Sequence, residues 1–219
     1  MGINGASAYP VPARDAQAET EVKRSRFLCT LRRVATEEEA RSVVEGLRRE
    51  HWDARHHCSA FVIGPPGADR VERSSDDGEP AGTAGAPMLE VLRGGGPSGE
   101  GVADCVAVVT RWFGGTLLGA GGLVRAYGDA VRAALDEAGT RERRLLREVA
   151  VELGHADAAR VESDLRARGL AVLATSYGVS VELVLGVPPA DVGGVEAVLA
   201  ALTSGAAAPR VAGERWVDG

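Results

Sequence analysis

The chain has 219 residues, 45% of them hydrophobic and 4% aromatic, so a sizeable core is built from Val, Leu and Ala. Its net charge of −6, from 31 acidic and 25 basic residues, excludes a strongly basic nucleic-acid binder but not a local basic face. Cys29, Cys58 and Cys105 are odd in number and far apart, which argues against a disulfide scaffold or a four-cysteine zinc site. Residues 1–13 lack a basic-then-apolar signal pattern, and residues 1–15 read as a flexible tail. No apolar run reaches the roughly 18 residues a spanning helix needs, so no membrane partner is expected and the cytoplasm is the expected compartment.

A first strand is expected around Phe27-Leu28-Cys29. Thr36 and Glu39 bracket a capping box, and Ala40, Val43, Val44 and Leu47 follow at helical spacing. Arg48 and Arg49 close that helix, where positive charge suits its dipole. Residues 59–63 read as a buried strand ended by Pro65-Pro66-Gly67. A short helix is expected over 84–92, closed by Gly94-Gly95-Gly96, and a very apolar strand over 102–110. Residues 121–138 form a long amphipathic helix. Leu123, Tyr127, Ala130, Val131, Ala134 and Leu135 face inward, and Gly139 caps it.

Arg141 to Arg144 read as a charged linker, which places a domain boundary near residue 145. The remainder reads strand 148–153, helix 157–168, strand 170–175, strand 179–187, helix 190–202, strand 210–215. That β-α-β-β-α-β order is the ferredoxin-like motif. Residues 1–145 hold 19 basic and 21 acidic residues, and residues 146–219 hold 6 and 10, so the second part is the poorer candidate for gripping phosphate.

The chemistry concentrates in three stretches. Ser75 to Gly85 carries Asp76, Asp77, Glu79 and Thr83 in one glycine-rich loop. Glycines at such density serve close backbone approach or positive φ. A hard cation on the three carboxylates is one reading. The favoured one is structural: Asp76 or Asp77 caps the next turn and Glu79 pairs with Arg111. His56, His57 and Cys58 form the second stretch. On a strand His56 and Cys58 share a face and His57 points to the other, so only two ligands converge where zinc needs three or four. No metal and no cofactor is expected. Arg111 to Arg125 is the third. Gly114 and Gly115 follow the apolar strand, and Gly119, Gly121 and Gly122 open the long helix. A glycine-lined helix N-terminus suits an anion, yet neither a phosphate-binding lysine motif nor a dinucleotide fingerprint is present. Arg125 either faces such an anion or pairs with Asp129 four residues on. Arg111 and Arg125 are both expected beside the acidic loop.

Taken together, Lys23 to Phe27, Asp53 to Cys58, Ser75 to Gly85 and Arg111 to Tyr127 resemble the YigZ/IMPACT family over nearly the whole chain. Trp112 departs from the tyrosine common at that place. The resemblance implies an α+β fold in two domains: residues 16–145 as an α/β sandwich like the second domain of a small-subunit ribosomal protein, and residues 146–219 like the last domain of elongation factor G. It implies a role in translation. Eukaryotic members restrain a kinase acting on a translation initiation factor; for bacterial members the implied partner is the ribosome, RNA or a translation factor, with no DNA expected. The expected surface comprises Arg26, His56, His57, Asp76, Asp77, Glu79, Thr83, Arg111, Gly114, Gly115, Gly119, Gly121, Gly122 and Arg125, and no catalytic residue. The alternative is a metal-dependent hydrolase or peptidase using His56, Asp76, Asp77 and Glu79.

Overall fold

The computed structural model describes residues 7–67, 69–95 and 99–219. The chain is α+β and divides into two compact units, the first ending at Glu142 and the second running Arg143–Gly219. No helix among the described residues is long and apolar enough to cross a membrane.

The first unit opens with β1 (Ala8–Pro12), then β2 (Ala16–Val22), β3 (Ser25–Arg33), α1 (Glu37–Glu50), β4 (His56–Ile63), β5 (Val71–Ser75), α2 (Gly85–Gly94), β6 (Cys105–Trp112) and α3 (Ala120–Ala138). Its sheet has the order β2-β3-β6-β4-β5, antiparallel throughout. Successive side chains alternate between its faces. Phe61, Ile63, Val106 and Val108 pack under α1. On the opposite face Phe27 meets Tyr127 of α3 edge-on, ring centroids 5.2 Å apart. All six expected inner-face residues of α3 are buried.

The capping box forms as its residue types dictate. Glu39 N–H donates to Thr36 Oγ1 at 3.1 Å, and Glu39 Oε2 accepts from Ala35 N–H at 2.6 Å. Gly139 closes α3 with φ of 62°, and the expected glycine turn after α2 holds at Gly95, which donates to Val91; Gly96 lies outside the described residues.

Three expectations are corrected. The tail is ordered from residue 8. Val11 is fully buried, and Tyr9 donates its hydroxyl to Asp104 Oδ2 at 2.8 Å, a long-range contact that no local pattern announces. Residues 1–6 lie outside the described residues. The first strand has a partner, β2, reached through Lys23 and Arg24, both at positive φ; their side chains gave no turn signal. Arg141 to Arg144 are not a linker but the start of the long strand β7 (Thr140–Leu153), where alternate residues stay exposed.

In the second unit, β7 is followed by α4 (His155–Ala167), β8 (Ala171–Tyr177), β9 (Val181–Val187), a 3-10 turn at Pro189–Asp191, α5 (Val192–Thr203) and β10 (Arg210–Asp218). The antiparallel sheet order β10-β7-β9-β8 is that of the ferredoxin-like motif. Val149, Val151, Leu153, Leu183 and Leu185 face Val161 and Leu165 of α4 and Val195 and Leu199 of α5.

Candidate functional site

One end of the first unit's sheet gathers the β2–β3 turn, the segment between α1 and β4, the acidic loop after β5 and the glycine turn after β6. The register fixes this, because His56 opens β4 opposite Arg111 near the end of β6, and Arg111 lies opposite Phe27 near the start of β3.

Each acidic residue of the loop has a separate task. Asp76 closes the loop on itself: Oδ2 accepts from Gly82 N–H at 2.8 Å, and Oδ1 from Ala84 and Gly85 N–H at 3.0 and 2.8 Å. The carboxylate thus satisfies the open N-terminus of α2, whose own cap residue, Ala84, has no side chain to do so. Partial burial works against its ionisation, but the three backbone donors outweigh this and hold its pKa below the ordinary carboxyl value. Gly85 is required here, since a Cβ would stand 2.7 Å from Ser75 N. Thr83 folds inward and donates its hydroxyl to Pro80 O at 2.6 Å.

Asp77, at φ of 43°, ties the loop to two elements. Its carboxylate accepts from His57 N–H at 2.6 Å and from Arg48 of α1 at 2.9 Å. Its carbonyl accepts from His56 Nδ1 at 2.8 Å, and Nε2 of the same ring is turned toward Glu79, 3.9 Å away.

Glu79 is driven into the protein, with only 4% of its side chain exposed. One oxygen, Oε1, accepts from Arg111 and from the Tyr127 hydroxyl, the latter at 2.8 Å. The Cys58 thiol donates to Asp76 O at 3.0 Å and sits 3.3 Å from the Tyr127 oxygen. Burial pushes the Cys58 thiol up to about 12, against the help of Tyr127 and with the nearby carboxylates adding to the rise. Burial, together with Cys58 and Glu79, likewise raises Tyr127. A thiol held protonated is no nucleophile, and a carboxylate matched by a guanidinium and a phenol is no free base. The cluster fastens α3, β4, β6 and the acidic loop together.

His57 points to the other face, as its register requires, and is 2% exposed. Burial, then the Arg48 charge, lowers its pKa. His56 and Cys58 do not extend into a metal site: among the described residues no group of three or more His, Cys, Asp or Glu side chains is arranged to hold an ion. The ligand set required by the hydrolase alternative is not assembled, because the carboxylates of Asp76, Asp77 and Glu79 are each turned to a different partner.

Arg125 is exposed on the solvent side of α3, where it lines a groove with Pro87, Val91 and Val124, because it lies two residues from the inward-facing Tyr127. Asp129, one of the two partners considered for it, bonds Arg132 at 2.7 Å. Of the glycines, Gly114 is needed for close approach: a Cβ would stand 2.0 Å from the Arg24 backbone, and its N–H donates to Ser25 Oγ at 3.1 Å. Gly115 takes φ of 84°. Gly119 and Gly121 have open space around them and Gly122 only an ordinary contact with Leu118.

Outside the closed cluster, the same end of the sheet exposes aromatic and basic side chains that the motif reading passed over. Trp52 is 82% and Phe113 45% exposed. The guanidinium of Arg26 lies 3.9 Å over the Trp112 ring. That ring is fixed by Asp53, which accepts from Nε1 at 2.9 Å, and by the edge of His51. Lys23, Arg24 and Arg55 are exposed beside them. The available signal was three aromatics, in a chain with few, placed between α1 and β4 and at the end of β6. Tyr127 could also have been singled out, since a phenol on the inner face of a helix needs a buried partner.

Residues 23–135 match the Impact N-terminal domain family, and residues 151–206 match a domain of unknown function, DUF1949. The chain is 39% identical to the Escherichia coli IMPACT family member YigZ over 198 residues, covering 90% of this chain and 95% of that protein. It is 43% identical to the Bacillus subtilis member YvyE over 164 residues, 75% of this chain and 72% of the other. A Thermus thermophilus member is 36% identical over 198 residues, 90% and 99% of the two chains. A crystal structure described as that of a hypothetical protein superposes with a TM-score of 0.64 at 37% identity, covering 93% of this chain and 97% of that one. The matched spans hold the acidic loop, the Arg111 strand and the Tyr127 helix whose side chains meet in the cluster, and on these grounds the chain belongs to the IMPACT family.

Proposed function

We propose that this protein is a non-enzymatic, translation-associated regulator of the cytoplasm that binds the ribosome, RNA or a translation protein through the loop end of its first unit. The observation that carries this reading is the division of labour at that end. The loop carboxylates are engaged, Glu79 with Arg111, Asp77 with Arg48 and Asp76 with the N-terminus of α2, while Trp52, Phe113 and the Arg26–Trp112 stack are left at the surface with Lys23, Arg24 and Arg55. An acidic chain thereby presents a locally basic, aromatic surface. Aromatic faces and guanidinium groups are what unpaired bases stack on, and basic side chains meet phosphate. The translation setting is what the family resemblance implies.

The test is co-sedimentation with ribosomes from the native host across a salt series. Trp52→Ala combined with Arg26→Ala is expected to lower retention about tenfold and flatten its salt dependence, as loss of a stacking and a phosphate contact does. Arg125→Ala, on the groove side of α3, is expected to leave retention unchanged. Retention unaltered in the double variant overturns the assignment of this surface.

A further inference from the structure

Helices α2 and α3 leave a groove of about 1000 Å³ between them. On α3 its wall runs from Gly121 to Gly139, a stripe that recurs every three or four residues over roughly 27 Å. Its apolar lining is Val91 of α2 with Val124 and Leu135 of α3, and Val124 is 40% exposed on a face where a solvated helix is polar. Gly121 has open space where a Cβ would stand, so nothing in its own chain calls for glycine, which costs a helix stability. Two charges of the stripe are unmatched. Glu90 pairs with Arg93 and Arg132 with Asp129, but among the described residues neither Arg125 nor Asp136 has a hydrogen-bond or ion-pair partner. Asp136 also stands in the last turn of α3, where an acid opposes the helix's own dipole.

We propose that this groove is a homodimer interface in which the α3 helices of two copies pack antiparallel across a two-fold axis. The unmatched charges select a second copy. Ala130 marks the middle of the stripe; Arg125 precedes it by five residues and Asp136 follows it by six. Rotation about an axis at that level reverses the helix, so Arg125 of one copy meets the partner's Asp136, and the pair forms twice. An unlike helix would have to supply an acid and a base at the same spacing, whereas the second copy already carries both. The same rotation sets Gly121 level with the partner's Gly139 and Gly128 level with the partner's Arg132. A small residue thus stands on one side at each of these levels, which lets the helix axes approach to about 8 Å. Val124 lies beside the partner's Leu135, so its exposed surface is covered. Asp136 comes to the N-terminal half of the partner's α3, the positive end of that dipole.

Sedimentation equilibrium of the full chain from about 1 to about 200 µM reads this directly. The mass is expected to rise toward twice the monomer value with concentration. Arg125→Asp and Asp136→Arg each set like charges together twice, and each is expected to weaken the dimer tenfold or more. Both keep a wild-type circular dichroism spectrum, because the residues are exposed. The two variants mixed in equal amounts restore both opposite-charge pairs, as does the double variant Arg125→Asp with Asp136→Arg, and each is expected to associate as the wild type does. A wild-type chain that stays monomeric at about 200 µM overturns the proposal. So does a dimer that both single variants leave intact, which places the contact elsewhere, or a mixture and a double variant that associate no better than the single variants.

Discussion

Glu79→Gln is the sharpest perturbation of the loop-end cluster. The amide keeps the shape of the side chain and an oxygen for the Tyr127 hydroxyl, but it removes the negative charge that matches Arg111. With 6% and 4% of their side chains exposed, Arg111 and Glu79 form a buried pair rather than a surface one. Water cannot screen the guanidinium left behind, and Arg111 Nε already lacks a hydrogen-bond partner. Removing one member of such a pair costs about 3–5 kcal/mol, against about 0–1 for an exposed pair. In a unit of this size that lowers the melting temperature by about 10 °C. The assay is urea denaturation followed by Trp fluorescence, since Trp52 and Trp112 both lie at this end. The double variant Glu79→Gln with Arg111→Met, which removes both charges, is expected to regain most of the loss, giving a coupling energy of about 2 kcal/mol or more. If Glu79→Gln costs less than about 1 kcal/mol, the pair is solvated and the cluster does not fasten the loop as described.

Gly114→Ala drives a Cβ to 2.0 Å from the Arg24 backbone and Gly85→Ala to 2.7 Å from Ser75, so each is expected to cost about 2–4 kcal/mol or to abolish soluble expression. Gly121→Ala, with open space around it in the first turn of α3, is expected to gain about 0.5 kcal/mol; all three are read by thermal melts. The lowered pKa of His57 means that the unfolded chain takes up the proton first as pH falls, so stability declines below about pH 6.5. Urea midpoints between pH 7.5 and 5 should show that slope, and His57→Gln should reduce it. At alkaline pH the sign reverses, because the Cys58 and Cys105 thiols ionise near 9.0 when unfolded but only at about 12 when folded, so stability falls above pH 9; Cys58→Ser should shrink that fall. A fragment of residues 143–219 should melt cooperatively. One starting at 146 should be less stable, since it loses Arg143, Arg144 and Leu145, which pair with Asp218, Val217 and Trp216 of β10; equal midpoints would show that this end of the ladder contributes nothing.

Much of the architecture was legible in the sequence because it rests on local chemistry. The Thr36–Glu39 capping box, the inner face of α3 and the Gly139 cap depend on spacings of three or four residues, which the backbone geometry of a helix sets by itself. The β-α-β-β-α-β order of the second unit followed from alternating periodicities in the same way. Strands with weak patterns were not legible. β1 and the first residues of β7 are ordered by partners far along the chain, as Tyr9 is by Asp104, and β2 pairs with β3 through a turn at Lys23 and Arg24 that carries no turn residue.

The candidate site divides along the same line. The chain's density of carboxylates and glycines marked Asp76, Asp77 and Glu79 as special, and charge matching suggested Arg111 as the partner of Glu79. Which carboxylate caps the helix, which ties down Arg48 and which is buried was decided by the fold, through the register that sets His56 opposite Arg111 and the helix that delivers Tyr127. Arg125 lies two residues from the inward-facing Tyr127, a step that turns a helical side chain by about 200°, so it stands on the exposed face of α3 while Tyr127 reaches the cluster. Sequence fixes what each residue can bond and how its own turn of backbone is shaped; only tertiary packing, which joins residues tens of positions apart and excludes water from between them, determines which of those bonds are made.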